Sequence, residues 1–289
     1  MPKAIIIVAV ALAAIAAVVV PSKFAGAKTS DPDVLYKSTV SPLPANLPSQ
    51  PFQAQQTSQF GNQVTLTKGA DHLSTVVVTM SSWACQSGAW FTKDCSTKPG
   101  ATFSEPITFN IYSANAPGSK LPGRLITAIT KPFSIPYRPS SSPSCTTNGG
   151  WGSTCANGKA VNITFDFSSL DVSVPQNIVF GIVYNTSQYG PDPYGTLPCE
   201  STAAGCPYDS LNVALSQDPT NVTKGSNPNT GKVFWNTSTA SAYCDGGAAG
   251  SGTFRLDSPG TLPADQCWTV GNTPGTPPYY VPAVQFNEE

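Results

Sequence analysis

Charge is scarce in this chain: Asp, Glu, Lys and Arg make up 11% of its 289 residues and nearly cancel, leaving a net −1. No basic stripe is available to neutralise a phosphate backbone, so nucleic acid is not an expected partner. Histidine occurs once, at His72, and no Cys-x-x-Cys pair occurs, which leaves the common zinc spacings unfilled. A Ser-His-acid triad would have to use His72 in a turn, and no G-x-S-x-G elbow is present. Apart from the last two residues, glutamate occurs only at Glu105 and Glu200. A pair of hydrolytic carboxylates would therefore draw on loop aspartates such as Asp94, Asp192, Asp209, Asp245 and Asp257. These shortages point away from an enzyme.

Long apolar runs are also lacking, with one exception at Ala4 to Val20. Lys3 precedes that run, and Ala25-Gly26-Ala27 puts alanine at positions −3 and −1 of a cut before Lys28. Residues 1–27 are accordingly expected to be a secretory signal peptide, with no membrane association after cleavage. Retention as an N-terminal anchor is the alternative, because the run approaches the length that spans a bilayer. No cysteine precedes Cys85, so lipidation of an N-terminal cysteine is not expected either.

What the chain does contain is turn chemistry and strands. Glycine (24) and proline (28) are abundant, and between them lie short segments of β-branched and aromatic residues. In Ile107 to Tyr112, residues Ile107, Phe109 and Ile111 alternate with Thr108 and Asn110, the period-2 pattern of a strand with one buried face. Val161, Ile163, Phe165 and Phe167 repeat the pattern. Ile178 to Tyr184 is apolar on both faces and should be a central strand, with Gly181 as a candidate bulge. Further strands are expected at Val64 to Leu66, Leu73 to Trp83, Leu125 to Ile135, Leu211 to Leu215, Val233 to Trp235 and Val281 to Phe286. Residues 28–51 are Pro-rich and read as an extended lead-in, leaving 52–289 as one domain. The fold class that follows is all-β: a two-sheet antiparallel β-sandwich, jelly-roll-like, with long loops.

Eight cysteines, Cys85, Cys95, Cys145, Cys155, Cys199, Cys206, Cys244 and Cys267, sit in the part expected to be exported. An even count in an oxidising compartment reads as disulfides, and their clustering suggests that neighbours pair as 85–95, 145–155, 199–206 and 244–267. Each bridge would pin one long loop, and such loops are where a binding surface is expected. The loops are rich in aromatics, among them Trp90, Trp151, Tyr189, Tyr194 and Tyr243. Flat rings stack on the C–H faces of sugars, so these five are candidate ligand-binding residues for a cell-wall or extracellular glycan. The competing reading is that the rings cover the disulfides as small satellite cores. No cofactor is called for, though Asp192, Asp209 and Asp245 are candidate calcium ligands, since hard cations take loop carboxylates.

The strand pattern from Gln63 to Thr186 resembles the choice-of-anchor type of jelly-roll domain in exported bacterial surface proteins. The resemblance is carried by Gly61 to Leu66, Leu73 to Met80, Ile107 to Tyr112 with Pro117-Gly118 and Leu121 after it, and Thr164 to Phe167 through Val174-Pro175 into Ile178 to Phe180. It implies an extracellular, non-catalytic domain and supplies no catalytic residues. A purely structural surface or matrix protein is the alternative function, and an extracellular carbohydrate-active hydrolase a further one.

Overall fold

Alternation becomes register in the middle of the chain. In a computed structural model that describes residues 33–53, 55–90, 92–116, 119–146, 149–185, 211–257 and 279–289, the segment Thr102–Ser113 forms strand β5. Its residues Phe103, Glu105, Ile107, Phe109 and Ile111 are buried, while Thr102, Ser104 and Pro106 are exposed. β6 (Leu125–Pro136) folds back on it as a long hairpin. The turn expected at Pro117-Gly118 lies outside the described residues.

The elements before β5 are β1 (Asp33–Lys37), β2 (Ser49–Gln50), β3 (Thr57–Thr65) and β4 (Leu73–Ser82). Those after β6 are β7 (Lys159–Asp166), β8 (Asn177–Val183), β9 (Leu211–Asp218), β10 (Val233–Thr237), β11 (Arg255–Asp257), β12 (Tyr279–Pro282) and β13 (Val284–Glu288). Helix is confined, among the described residues, to two three-residue 3-10 turns. One sheet runs β11-β10-β3-β8-β5-β6. The other runs β1-β13-β4-β9-β12, with β7 on β4 and β2 on β9. All of these pairings are antiparallel. The two sheets pack face to face as a β-sandwich, as the alternation requires.

β8 is central, between β3 and β5, and it is covered on both faces. Ile178, Phe180 and Ile182 enter the main core, while Val179 packs on the outer face with Phe234, Phe254 and Leu256. The bulge expected at Gly181 is not there: β3 and β8 stay in step, with Gly181 opposite Gly61. Glycine is needed for another reason, because a Cβ at Gly181 would lie 2.1 Å from the Gln59 side-chain amide nitrogen, which reaches across to the Tyr112 hydroxyl. Gly61 is tighter still, since its Cβ would meet the Phe180 carbonyl oxygen at 1.8 Å.

Two boundaries differ from the sequence reading. The segment from Asp33 is not a lead-in but part of the sandwich: β1 pairs with β13 while β2 pairs with β9. The register of β1 shifts between Val34 and Tyr36, and Leu35 and Tyr36 are both buried although adjacent. A bulge breaks strict alternation and hides such a strand from a period-2 reading. The expected strand Val281 to Phe286 is two strands parted at Ala283, where the chain changes partner: β12 pairs with β9 and β13 with β4, and Ala283 bonds to both through its N–H to Ala214 and its carbonyl from Thr79. The expected signal peptide lies outside the described residues, among which no helix is long and apolar enough to cross a membrane.

Phe109 sits where the sheets meet. Its ring lies parallel to Phe180 of its own sheet (5.5 Å, 8°) and touches Phe165 (5.3 Å) and Phe286 (5.8 Å) of the opposite one. Phe109→Ala is expected to cost about 3–5 kcal/mol, the range for a buried Phe truncation. Leu170→Ala, on a side chain that is 46% exposed, should stay within about 0.5 kcal/mol. Urea unfolding of the two variants checks this; equal losses would overturn the assignment of the core.

Candidate functional site

β4 leaves the sheet at Ser82, and the chain then closes a small ring through the Cys85–Cys95 disulfide, ten residues apart. Inside the ring, the Asp94 carboxylate accepts from the Ala89 N–H (2.9 Å) and from the Thr92 hydroxyl. These bonds hold its pKa below the usual carboxylate value. Gly88 takes φ +68°, and a Cβ there would collide with the Asp94 carbonyl oxygen at 2.3 Å. The ring therefore presents Trp90 in a fixed place.

A second ring is closed by Cys145–Cys155 and docks on the first. The Lys93 ammonium donates to the Thr146 carbonyl (2.6 Å), and Ser141 N–H donates to the Cys95 carbonyl (2.9 Å). Between them lies Arg138, fully buried, whose guanidinium donates to the Gly149 carbonyl (2.6 Å) while its own N–H binds the Ala84 carbonyl (2.9 Å). Desolvation pulls its pKa down to about 10, so it remains charged at neutral pH and holds the rings together as a cation. Gly149, with φ +64°, has the Trp90 carbonyl 2.4 Å from where a Cβ would stand, so the rings touch backbone to backbone.

Beside this pair of rings is a cleft of about 540 Å³ lined by Asn46, Leu47, Pro48, Ser49, Pro51, Trp83, Trp90, Asn157 and Asn212. Its volume lies within the roughly 300–1,000 Å³ of small-molecule sites. Trp83 and Trp90 meet edge to face, 4.9 Å apart at 80°. Trp83 Nε1 donates to the Ser81 hydroxyl (3.0 Å), which donates in turn to Asn46 Oδ1 (2.6 Å). Across the cleft, Asn212 Nδ2 donates to the Ser49 hydroxyl (3.1 Å). No side chain among these lining residues carries a charge.

Trp90, one of the candidate ligand-binding residues, lines this cleft. Trp151 lies on the second ring, outside the cleft lining, with Nε1 bound to the Gly158 carbonyl (2.8 Å) and the Lys159 ammonium over its face (5.8 Å). Tyr243 is a correction: it is completely buried, not a surface platform. Its hydroxyl accepts from Thr237 N–H (3.1 Å) and lies within bonding distance of the Trp235 and Thr253 carbonyls, with the Arg255 guanidinium over its ring at 4.0 Å. Asp245 is a second correction, since both of its oxygens are held by Arg255 (2.8 and 2.9 Å), which satisfies them as a structural ion pair and leaves no chelating face. No group of three His, Cys, Asp or Glu that could hold a metal occurs among the described residues.

Of the other expected residues, Tyr189, Tyr194, Asp192, Asp209, Cys199, Cys206 and Cys267 lie outside the described residues. Cys244 is buried, and its N–H donates to the Asp257 carboxylate (3.1 Å). His72 pairs with Asp171 (2.6 Å) on the surface, both largely exposed. The sequence reading missed Trp83, taken there as the end of a strand, and the asparagines. Its place two residues before a ring-closing cysteine is the one signal that could have marked it.

The double variant Cys85→Ser, Cys95→Ser is expected to lose up to about 2.5–3 kcal/mol, the chain-entropy value for a ten-residue ring. It should also shift tryptophan emission to the red as Trp90 loses its bracing. Unchanged emission and melting temperature would show that the first ring is held without its bridge. No protein-family model, no curated protein and no solved structure matches this chain.

Proposed function

We propose that this is an exported, extracellular β-sandwich protein that binds a cell-wall or extracellular glycan without transforming it. The observation that carries the reading is the Trp83–Trp90 pair on one cleft with Asn46, Asn157 and Asn212. Aromatic rings offer sugars a surface for their C–H faces, and carboxamides both donate to and accept from hydroxyl groups. A binding role is favoured over hydrolysis because none of the described lining residues is a carboxylate, the group that would act as acid, base or nucleophile on a glycosidic bond. The two disulfides support export, since such bridges persist in oxidising compartments.

The experiment is retention of the disulfide-intact protein on a panel of insoluble and arrayed polysaccharides, with release of reducing ends followed in parallel. Binding without turnover is expected. Trp90→Ala should weaken retention by about tenfold or more, because an aromatic anchor in a cleft carries much of the binding energy, and should shift the melting temperature little. If the parent binds no polysaccharide, a structural surface role takes its place; if reducing ends appear, the protein is a hydrolase.

A further inference from the structure

The two cleft tryptophans do not share a plane. Trp83 and Trp90 are both half-buried, both line the cleft, and their rings meet at 80° with centroids 4.9 Å apart. At that distance they touch, so no ligand passes between them, and the edge of one indole covers part of a face of the other. Neither is free to swing. Trp83 is tied at Nε1 to the Ser81 hydroxyl (3.0 Å), which is itself buried and donates on to Asn46 Oδ1 (2.6 Å). Trp90 stands in the Cys85–Cys95 ring, and its carbonyl abuts Gly149 so closely that a Cβ there would lie 2.4 Å away. The rings therefore form a fixed corner rather than a flat row.

We propose that this corner takes a short stretch of a single soluble sugar chain, stacking one sugar ring at a time, and does not take the face of a crystalline polysaccharide. The proposal rests on the glycan reading above and narrows it to one class of ligand. A crystal face presents many sugar rings in one plane, and a protein that stacks on it needs coplanar aromatic faces standing clear of its own surface. Here the two rings are nearly perpendicular, and Leu47, Pro48 and Pro51 line the same concavity. A plane laid on one indole meets the other edge-on. A single sugar suits the corner, because its C–H face can lie on one indole while the other indole walls its rim. Units beyond it find no third aromatic ring among the described lining residues, so lengthening the chain adds little.

The test is calorimetric titration of the intact, oxidised protein with cello-, xylo- and chito-oligosaccharides of three and six units, beside pull-down on microcrystalline cellulose and crystalline chitin. At least one series is expected to bind, with the six-unit chain less than about threefold tighter than the three-unit chain, the gain from offering more units to one site. The crystalline polymers are expected to retain nothing. Trp83→Ala should weaken three-unit binding by about tenfold or more, since it removes one wall of the corner around an anchoring ring. Its melting temperature is read alongside, and the length series on the parent decides the matter even if that variant fails to fold. Retention on a crystalline polymer, or a six-unit chain bound about tenfold or more tighter than the three-unit one, would overturn the corner and leave the glycan reading standing. A folded Trp83→Ala variant with the parent's affinity would overturn it as well. Heat from none of the series overturns the proposal; if the polysaccharide panel is also empty, the glycan reading falls with it.

Discussion

Everything in this sandwich depends on phenylalanine rings from two sheets meeting at one place. Phe109 and Phe180 come from the β6-edged sheet, and Phe165 and Phe286 from the one that contains β4 and β13. They join strands far apart in the chain, so the contact forms only when distant segments have found one another. Offset and edge-to-face aromatic pairs add about 0.5–1.5 kcal/mol each beyond the area they bury, and they have preferred geometry. That geometry fixes how one sheet lies on the other, which an aliphatic core of equal area would leave looser. The chain's first described strand is drawn into the same cluster, since Tyr36 of β1 packs edge-on against Phe286 at 6.3 Å.

Connectivity then explains why the disulfide rings and the cleft beside them are built from loops. From β3 through β10 the chain changes sheet at nearly every step, with the β5–β6 hairpin as the exception. Each crossing leaves one strand end and enters the other layer, so the connections gather at the ends of the sandwich. The crossings after β4 and after β6 are long, and each is closed into a ring by a disulfide. A ten-residue ring cannot bury much surface of its own. The two rings are therefore cemented by polar contacts with one another, through Arg138, Lys93 and the Ser141 N–H, and the buried guanidinium stands where apolar side chains would otherwise be needed.

How much of this could be read in the residues depends on how local the signal is. Phe109 and Phe165 announce themselves because alternation along one strand is enough to place them inside, and Ile182 because its strand is apolar on both faces. β1 could not be read that way, since its bulge buries two neighbours and prolines surround it. Tyr243 misled for a related reason: the segment after it is made of Gly, Ala and Ser and looks like a surface loop. In the fold that segment curls over so that the Tyr243 hydroxyl satisfies Thr237 N–H while Arg255 caps the ring. Arg255 in turn captures Asp245, one of the three loop aspartates read as candidate calcium ligands. Pairing the sheet-end cysteines by proximity in sequence worked for 85–95 and 145–155 because each pair spans only one loop.

The cleft shows a deeper limit on what sequence can reveal. Asn46 comes from the segment before the first long strand, Trp83 from just past β4, Asn157 from just past the second ring and Asn212 from β9. No spacing connects them, and in a chain rich in asparagine none is conspicuous. Only folding brings β2 beside β9, and with it Ser49 to the Asn212 amide. The same pairing lays the Pro-rich stretch along the cleft, where proline helps in two ways. It has no N–H to leave unsatisfied at an irregular wall, and its fixed φ reduces the entropy lost in holding that wall still. A rigid Pro-rich wall and a tryptophan braced by the Cys85–Cys95 ring would leave little ordering to be done on binding a ligand. Binding in such a site depends mainly on the match between lining and ligand rather than on closure around it.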